Sequence, residues 1–249
     1  MANLIYAEIL KIKRSKLVFL SILGTLATPF MLFIEALQTH FEHPDRVFTL
    51  WNIYDNGLLY IMLLMNMMVH ITIAAYIFSR EYKERTYKTI LTIPVSREKL
   101  LIGKFIVLLI WTVLLAVSTW LGTLILSGIY GLIFGLGGFT FKVVMEWFFT
   151  YQAGSLLMFF TVTPFVYVAV KTKGIVVPMI GSAVIVMGSA ALCNQKLGAL
   201  YPWTATFFLM KGRIPSTGYP LWLSIALICV VSLVGFSLTF YRFKKEDIK

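Results

Sequence analysis

Long apolar runs alternate with short charged segments along the whole chain. Six runs, at 17–36, 58–78, 100–126, 147–170, 175–193 and 221–241, consist mostly of aliphatic and aromatic residues. A helix needs about 20 such residues to cross a bilayer, because backbone groups in lipid must be bonded within their own segment. The pattern predicts an all-α integral membrane protein with six transmembrane helices in a single domain, 1–249. Residues 1–16 read as an interfacial helix: Ile5, Ile9 and Ile12 share one face, while Lys11 and Arg14 lie on another. Between spans five and six, residues 194–220 hold an aromatic, apolar stretch too short to cross, which suits a re-entrant or interfacial element. Residues 171–174 leave room only for a turn, making spans four and five antiparallel neighbours. Pro29 and Pro164 fall inside spans, freeing the carbonyls of Thr25 and Phe160, and predict local bends.

Composition sharpens this picture. Hydrophobic residues are 59% and charged residues 13%, with a mean hydropathy of +0.85. The net charge of +11 is distributed by topology: 17 of the 22 Lys and Arg fall in 1–16, 80–104, 171–174 and the tail from residue 242. The positive-inside rule assigns those segments, and both termini, to the cytoplasm. Cations that border spans do not form the free basic patch of a nucleic-acid binder. The two cysteines, Cys193 and Cys229, give neither a disulfide framework nor a metal spacing. The sequence lacks the G-x-x-x-x-G-K-[ST] phosphate loop, G-x-S-x-G and H-E-x-x-H, so catalysis on this chain is not expected.

Two polar features remain to be explained. Asn66 and His70, four residues apart in span two, share a helix face near Met62 and Met65. They suit an interhelical hydrogen bond or, alternatively, a substrate path for a bulky apolar ligand. The cluster His40, His43 and Asp45 has imidazole and carboxylate groups without a zinc spacing, and reads as solvated loop.

The segment 80–99 joins spans two and three and is too charged for the hydrocarbon. Within 78–104 lie seven Lys or Arg and three Glu, each costing about 2.5–3.5 kcal/mol at a bilayer centre. Residues 81–91 predict a short amphipathic helix parallel to the membrane. Tyr87, Ile90 and Leu91 would pack on a soluble partner, Pro94 would end the helix, and Ser96 would cap the third span. Glu81 is expected outside the bundle core.

In this segment Phe78, Glu81, Thr86, Ile90, Leu91, Pro94, Val95, Ser96, Arg97 and Lys104 match the pattern F-x-x-E-x-x-x-G-T…L-L-x-x-P-[VI]-S-R…K, with Arg85 where the pattern has glycine. The chain thereby resembles the type-2 permease family of ATP-binding-cassette transporters. Its size and the N-terminal stretch from Glu8 to Ser15 resemble the bacitracin-resistance and lantibiotic-immunity permeases. The resemblance implies a cytosolic dimer of ATPase subunits carrying ATP and Mg, and a second permease subunit, identical or homologous. It also implies a multi-pass location in the plasma membrane among lipid, and a lipid-like or amphipathic peptide substrate. Glu81, Thr86, Tyr87, Ile90, Leu91, Pro94, Ser96 and Arg97 would then couple the membrane domain to the ATPase. Export of another drug or lipid, and a non-transporting anchor or sensor that recruits a cytosolic partner, are the alternative functions.

Overall fold

Ser15, Thr49, Ser96 and Thr140 each stand in extended backbone just before a helix, and each hydroxyl accepts a main-chain N–H of the first turn. Such caps fix where helices begin. The computed structural model describes residues 2–13, 15–43, 48–84, 86 and 96–245. Within them the helices are α1 (Ala2–Lys13), α2 (Lys16–Glu42), α3 (Leu50–Leu63), α4 (Met65–Lys83), α5 (Arg97–Phe134), α6 (Phe141–Thr172), α7 (Val176–Leu192), α8 (Pro202–Met210), α9 (Ile214–Thr217) and α10 (Leu221–Lys245). A 3-10 turn, Lys196–Leu200, precedes α8. Among the described residues the one extended pairing is an isolated bridge between Thr49 and Gly137.

Five helical stretches among the described residues are long and apolar enough to cross a membrane: Lys16–Glu42, Leu50–Lys83, Arg97–Phe134, Phe141–Thr172 and Leu221–Lys245. The chain is a multi-pass, all-helical membrane protein. The run expected as span five is the 17-residue α7, about 25 Å long at 1.5 Å per residue and shorter than any of these five stretches. Helices α2, α5, α6 and α10 extend beyond their apolar runs, because capping and packing, rather than hydropathy, set their ends. The end of the expected loop before span two and the start of that span together form α3, which joins α4 at Leu64 through non-helical backbone (φ −122°, ψ −100°). Neither Gly nor Pro marks that break in the sequence.

Both prolines sit within uninterrupted helices. At Pro164 the freed Phe160 carbonyl is not left bare: the Thr163 hydroxyl lies 2.9 Å from it, and 3.1 Å from the Ser232 carbonyl of α10. That bond accompanies the most extensive helix pair in the bundle, α6 against α10. Gly235 permits it, since a Cβ there would lie 2.4 Å from Thr163 Oγ1 and 2.6 Å from the Pro164 nitrogen. Small residues at membrane helix contacts serve this close approach. Helix α6 also packs on α4 and α5, and α2 on α5. The short aromatic α8 is tucked into the bundle against α6, α3 and α10, with Thr204 to Phe208 buried. Non-spanning backbone at membrane depth is tolerated where protein covers it.

Contacts between helix ends define two poles. Lys244 of α10 pairs with Glu98 of α5 at 3.3 Å, and Lys173 lies over the Tyr82 ring. With α1, these ends form the basal pole, to which the first and the last described helical turns belong. At the distal pole, Lys211 beyond α8 pairs with Asp55 of α3.

Candidate functional site at the base of the bundle

The basal pole carries a buried ionic cluster drawn from three helices. Helix α1 turns Ile5, Glu8 and Ile12 toward the bundle and leaves Ile9 exposed. It approaches α5 closely at Gly103, where a Cβ would lie 3.1 Å from a Leu4 methyl. This brings Glu8 and Lys11, one turn apart, beside Glu81 on the last turn of α4 and Lys104 on the second turn of α5. Lys11 Nζ bonds both Glu8 and Glu81, the latter at 2.9 Å. Lys104 Nζ lies 3.0 Å from Glu81 Oε2 and 3.5 Å from Glu8 Oε2, and donates to the Ile77 carbonyl at 2.9 Å.

Two acids and two bases make the cluster neutral, which makes the burial tolerable. Removing one partner would strand the opposite charge in a low-dielectric setting. For Lys11, burial pushes the ammonium pKa down, but Glu81 and Glu8 outweigh it and hold it above the ordinary lysine value. Next to the cluster, an Arg80 guanidinium N–H donates to the Lys11 carbonyl, and Arg80 pairs with Glu84 at 2.7 Å. The last turn of α4 thus grips both a side chain and the backbone of α1.

The connecting segment leaves from this grip and returns beside it. The Thr86 N–H donates to the Glu81 carbonyl at 3.2 Å, and Ser96 Oγ accepts the Lys99 N–H at 3.3 Å as the N-cap of α5. Arg97 donates to the Lys244 carbonyl at 3.3 Å, tying the start of α5 to the end of α10. Tyr87, Ile90, Leu91 and Pro94 lie outside the described residues. Glu81 corrects the sequence expectation: it belongs to α4 and is buried inside the bundle base, because α1 folds over it with a compensating lysine. Glu8, Lys11 and Lys104 were not among the expected coupling residues. Two signals could have found them: the i,i+3 pair Glu8 and Lys11, and a lysine inside an apolar run.

At mid-bundle, Asn66 is fully engaged. Its Oδ1 accepts from Thr28 of α2 at 3.0 Å and its Nδ2 donates to Thr119 of α5 at 2.8 Å. His70 Nδ1 lies 2.7 Å from the Asn66 carbonyl. Met62 is buried against Gly154 of α6, and Met65 is half-buried. None of these four residues lines either of two sizeable openings among the described residues. One is an apolar groove of about 320 Å³ next to the cluster, walled by Ile9 and Ile12 of α1, Val18 and Ile22 of α2, and Val107 and Trp111 of α5. The other is a polar cavity of about 410 Å³ at the distal pole. His40 rests on the ring of Phe134, with centroids 4.6 Å apart, and no group of three metal-binding side chains occurs among the described residues.

Residues 4–189 match the family model described as ABC-2 family transporter protein. The chain is also similar to a bacitracin transport permease protein of Bacillus licheniformis, at 33% identity over 207 residues, covering 83% of this chain and 97% of the relative. No solved structure matches.

Proposed function

The chain belongs to the ABC-2 family of transporter proteins, and on that premise we propose that it serves an ATP-driven exporter that removes a bacitracin-like or lantibiotic peptide from the membrane as self-immunity or resistance. Membership makes it the transmembrane subunit of an ABC transporter, not the ATPase. The observation that carries the cargo assignment is the alignment with almost the whole of a bacitracin permease.

In this reading the basal pole faces the cytoplasm, as the 17 clustered cations favour, and α7 completes six spans. ATP and Mg bind to a pair of cytosolic ATPase subunits, which dock on segment 80–99. A second permease, identical or homologous, completes the complex in the plasma membrane. Docking force enters through the ends of α4 and α5, since the segment is anchored to Glu81 at one side and capped by Ser96 at the other.

The ionic cluster gives that force a route. Glu81 and Lys104 join α4 to α5, while Lys11 and Glu8 join both to α1. Displacing the two helix ends therefore drags α1, which walls the apolar groove through Ile9 and Ile12. A groove beside the inner leaflet that widens and narrows suits the apolar part of an amphipathic peptide, and rigid-body tilting of packed helices is a common transport motion.

Bacterial inhibitory concentrations test the reading. Cells expressing the chain with its ATPase should tolerate bacitracin or a lantibiotic better than cells in which that ATPase carries a dead catalytic site. Equal tolerance across several such peptides would refute the immunity assignment.

A further inference from the structure

Helices α1 and α2 each pack on α5, and the apolar groove of about 320 Å³ lies in the angle between them. Its lining follows α2 from Ser15 to Ile22, a rise of about 10 Å at 1.5 Å per residue. The groove opens sideways, where Ile9, Phe19, Ile110 and Leu114 are exposed. Polar groups in its walls are satisfied within the protein: Trp111 Nε1 donates to Ser21 Oγ at 3.1 Å, and Ser15 Oγ accepts the Leu17 N–H at 3.2 Å.

The mouth differs from the walls. Lys13, on the last turn of α1, is the one charged residue among those lining the groove, and it is exposed. Lys16, exposed at the start of α2, follows just beyond the groove-lining Ser15. Neither ammonium has an ion pair or a hydrogen bond among the described residues. Their neighbour Lys11 turns the other way, into the cluster with Glu8 and Glu81, so those acids are already in use. A smaller groove of about 150 Å³ between α2 and α4 has no charged lining, so the cationic mouth belongs to this groove in particular.

The complementary occupant has an apolar chain at least about 10 Å long and an anion at its end. A second copy of the chain, itself at +11, would bring a surplus of cations to the same mouth. We propose that the groove seats an anionic phospholipid of the leaflet around the basal pole, with its phosphate at Lys13 and Lys16 and one acyl chain between α1, α2 and α5. Lysine stems lie along the apolar lip while their ammonium groups meet the headgroup. The lipid braces α1 against α2, on the helix that also joins the ionic cluster. The proposal does not rest on the exported cargo; a peptide entering the groove would have to displace the chain.

The test uses the full chain in micelles of a neutral detergent, without peptide, and reads the thermal unfolding midpoint. Dioctanoylphosphatidylglycerol should raise the midpoint saturably, whereas dioctanoylphosphatidylcholine, with the same chains, and glycerol phosphate, with no chain, should not. Lys13→Gln with Lys16→Gln should weaken half-saturation about tenfold or more, as expected for two lysines at a lipid headgroup. Lys83→Gln with Lys99→Gln removes the same charge from exposed basal positions that do not line the groove, and should leave half-saturation unchanged. Ile110→Trp, which narrows the groove from its exposed side and keeps both lysines, should also weaken the shift. Equal shifts with the two phospholipids, or equal weakening by the two lysine pairs, would overturn the proposal. A midpoint indifferent to lipid that rises with protein concentration would overturn it too, in favour of a second copy over the groove.

Discussion

Glu81 on the last turn of α4 and Lys104 on the second turn of α5 face each other at 3.0 Å, with only 2% of either side chain exposed. Glu81→Gln should therefore strand a charge and cost about 3–5 kcal/mol of stability, because a broken buried pair leaves its partner uncompensated. Adding Lys104→Met should recover most of that loss, since Glu8 and Lys11 still balance each other. Thermal unfolding of the three proteins checks both steps, and a double variant no more stable than Glu81→Gln alone would contradict the pairing.

Gly235 offers a sharper packing test. Alanine there meets the Pro164 nitrogen and Thr163 carbonyl carbon, each at 2.6 Å, and backbone cannot rotate away. Overpacking of this kind costs about 1–3 kcal/mol, so Gly235→Ala should lower the unfolding midpoint. Gly128→Ala, inside α5 with nothing within 4 Å of the added methyl, should not lower it and should raise it slightly, because alanine is the better helix former.

The charge on Lys11 sets a pH expectation. Its pKa is held above the ordinary 10.5 by Glu81 and Glu8, against burial, so its stabilising effect is complete below 10.5 and is lost as pH rises through the folded value. Lys104, Arg80 and Glu84 complete the charged surroundings. The difference in unfolding midpoint between wild type and Lys11→Met should stay constant between about pH 6 and pH 9 and shrink only in stronger alkali. A difference that vanished near neutrality would contradict the assignment.

Orientation can be read by thiol labelling in a background lacking Cys193 and Cys229. Gln38 and Ser216 are exposed toward the distal pole, so cysteines there should react with an impermeant reagent in intact cells. A cysteine at Lys245, exposed at the basal pole, should react only after permeabilisation. The reverse pattern would invert the topology.

Five of the six expected spans were legible because hydropathy over 20 residues belongs to each segment alone. Their ends were less so: Trp51, Asn52 and Asp55 read as loop, yet they lie in α3, whose start is fixed by the Thr49 cap and its bridge to Gly137. The ionic cluster was hidden for another reason. Lys11 and Glu81 are 70 residues apart, Glu8 and Lys104 are 96 apart, and only the fold of α1 against α5 brings compensating charges together. Ser96 was readable as a cap because its signal is local.

Peptide-stimulated ATP hydrolysis in a reconstituted complex of this chain with its ATPase tests the central claim most directly. The chain alone should hydrolyse nothing, the wild-type complex should accelerate when bacitracin is added, and the Glu81→Gln, Lys104→Met pair should keep basal hydrolysis while losing the acceleration. Hydrolysis by the chain alone, or a wild-type complex indifferent to every such peptide, would contradict the account.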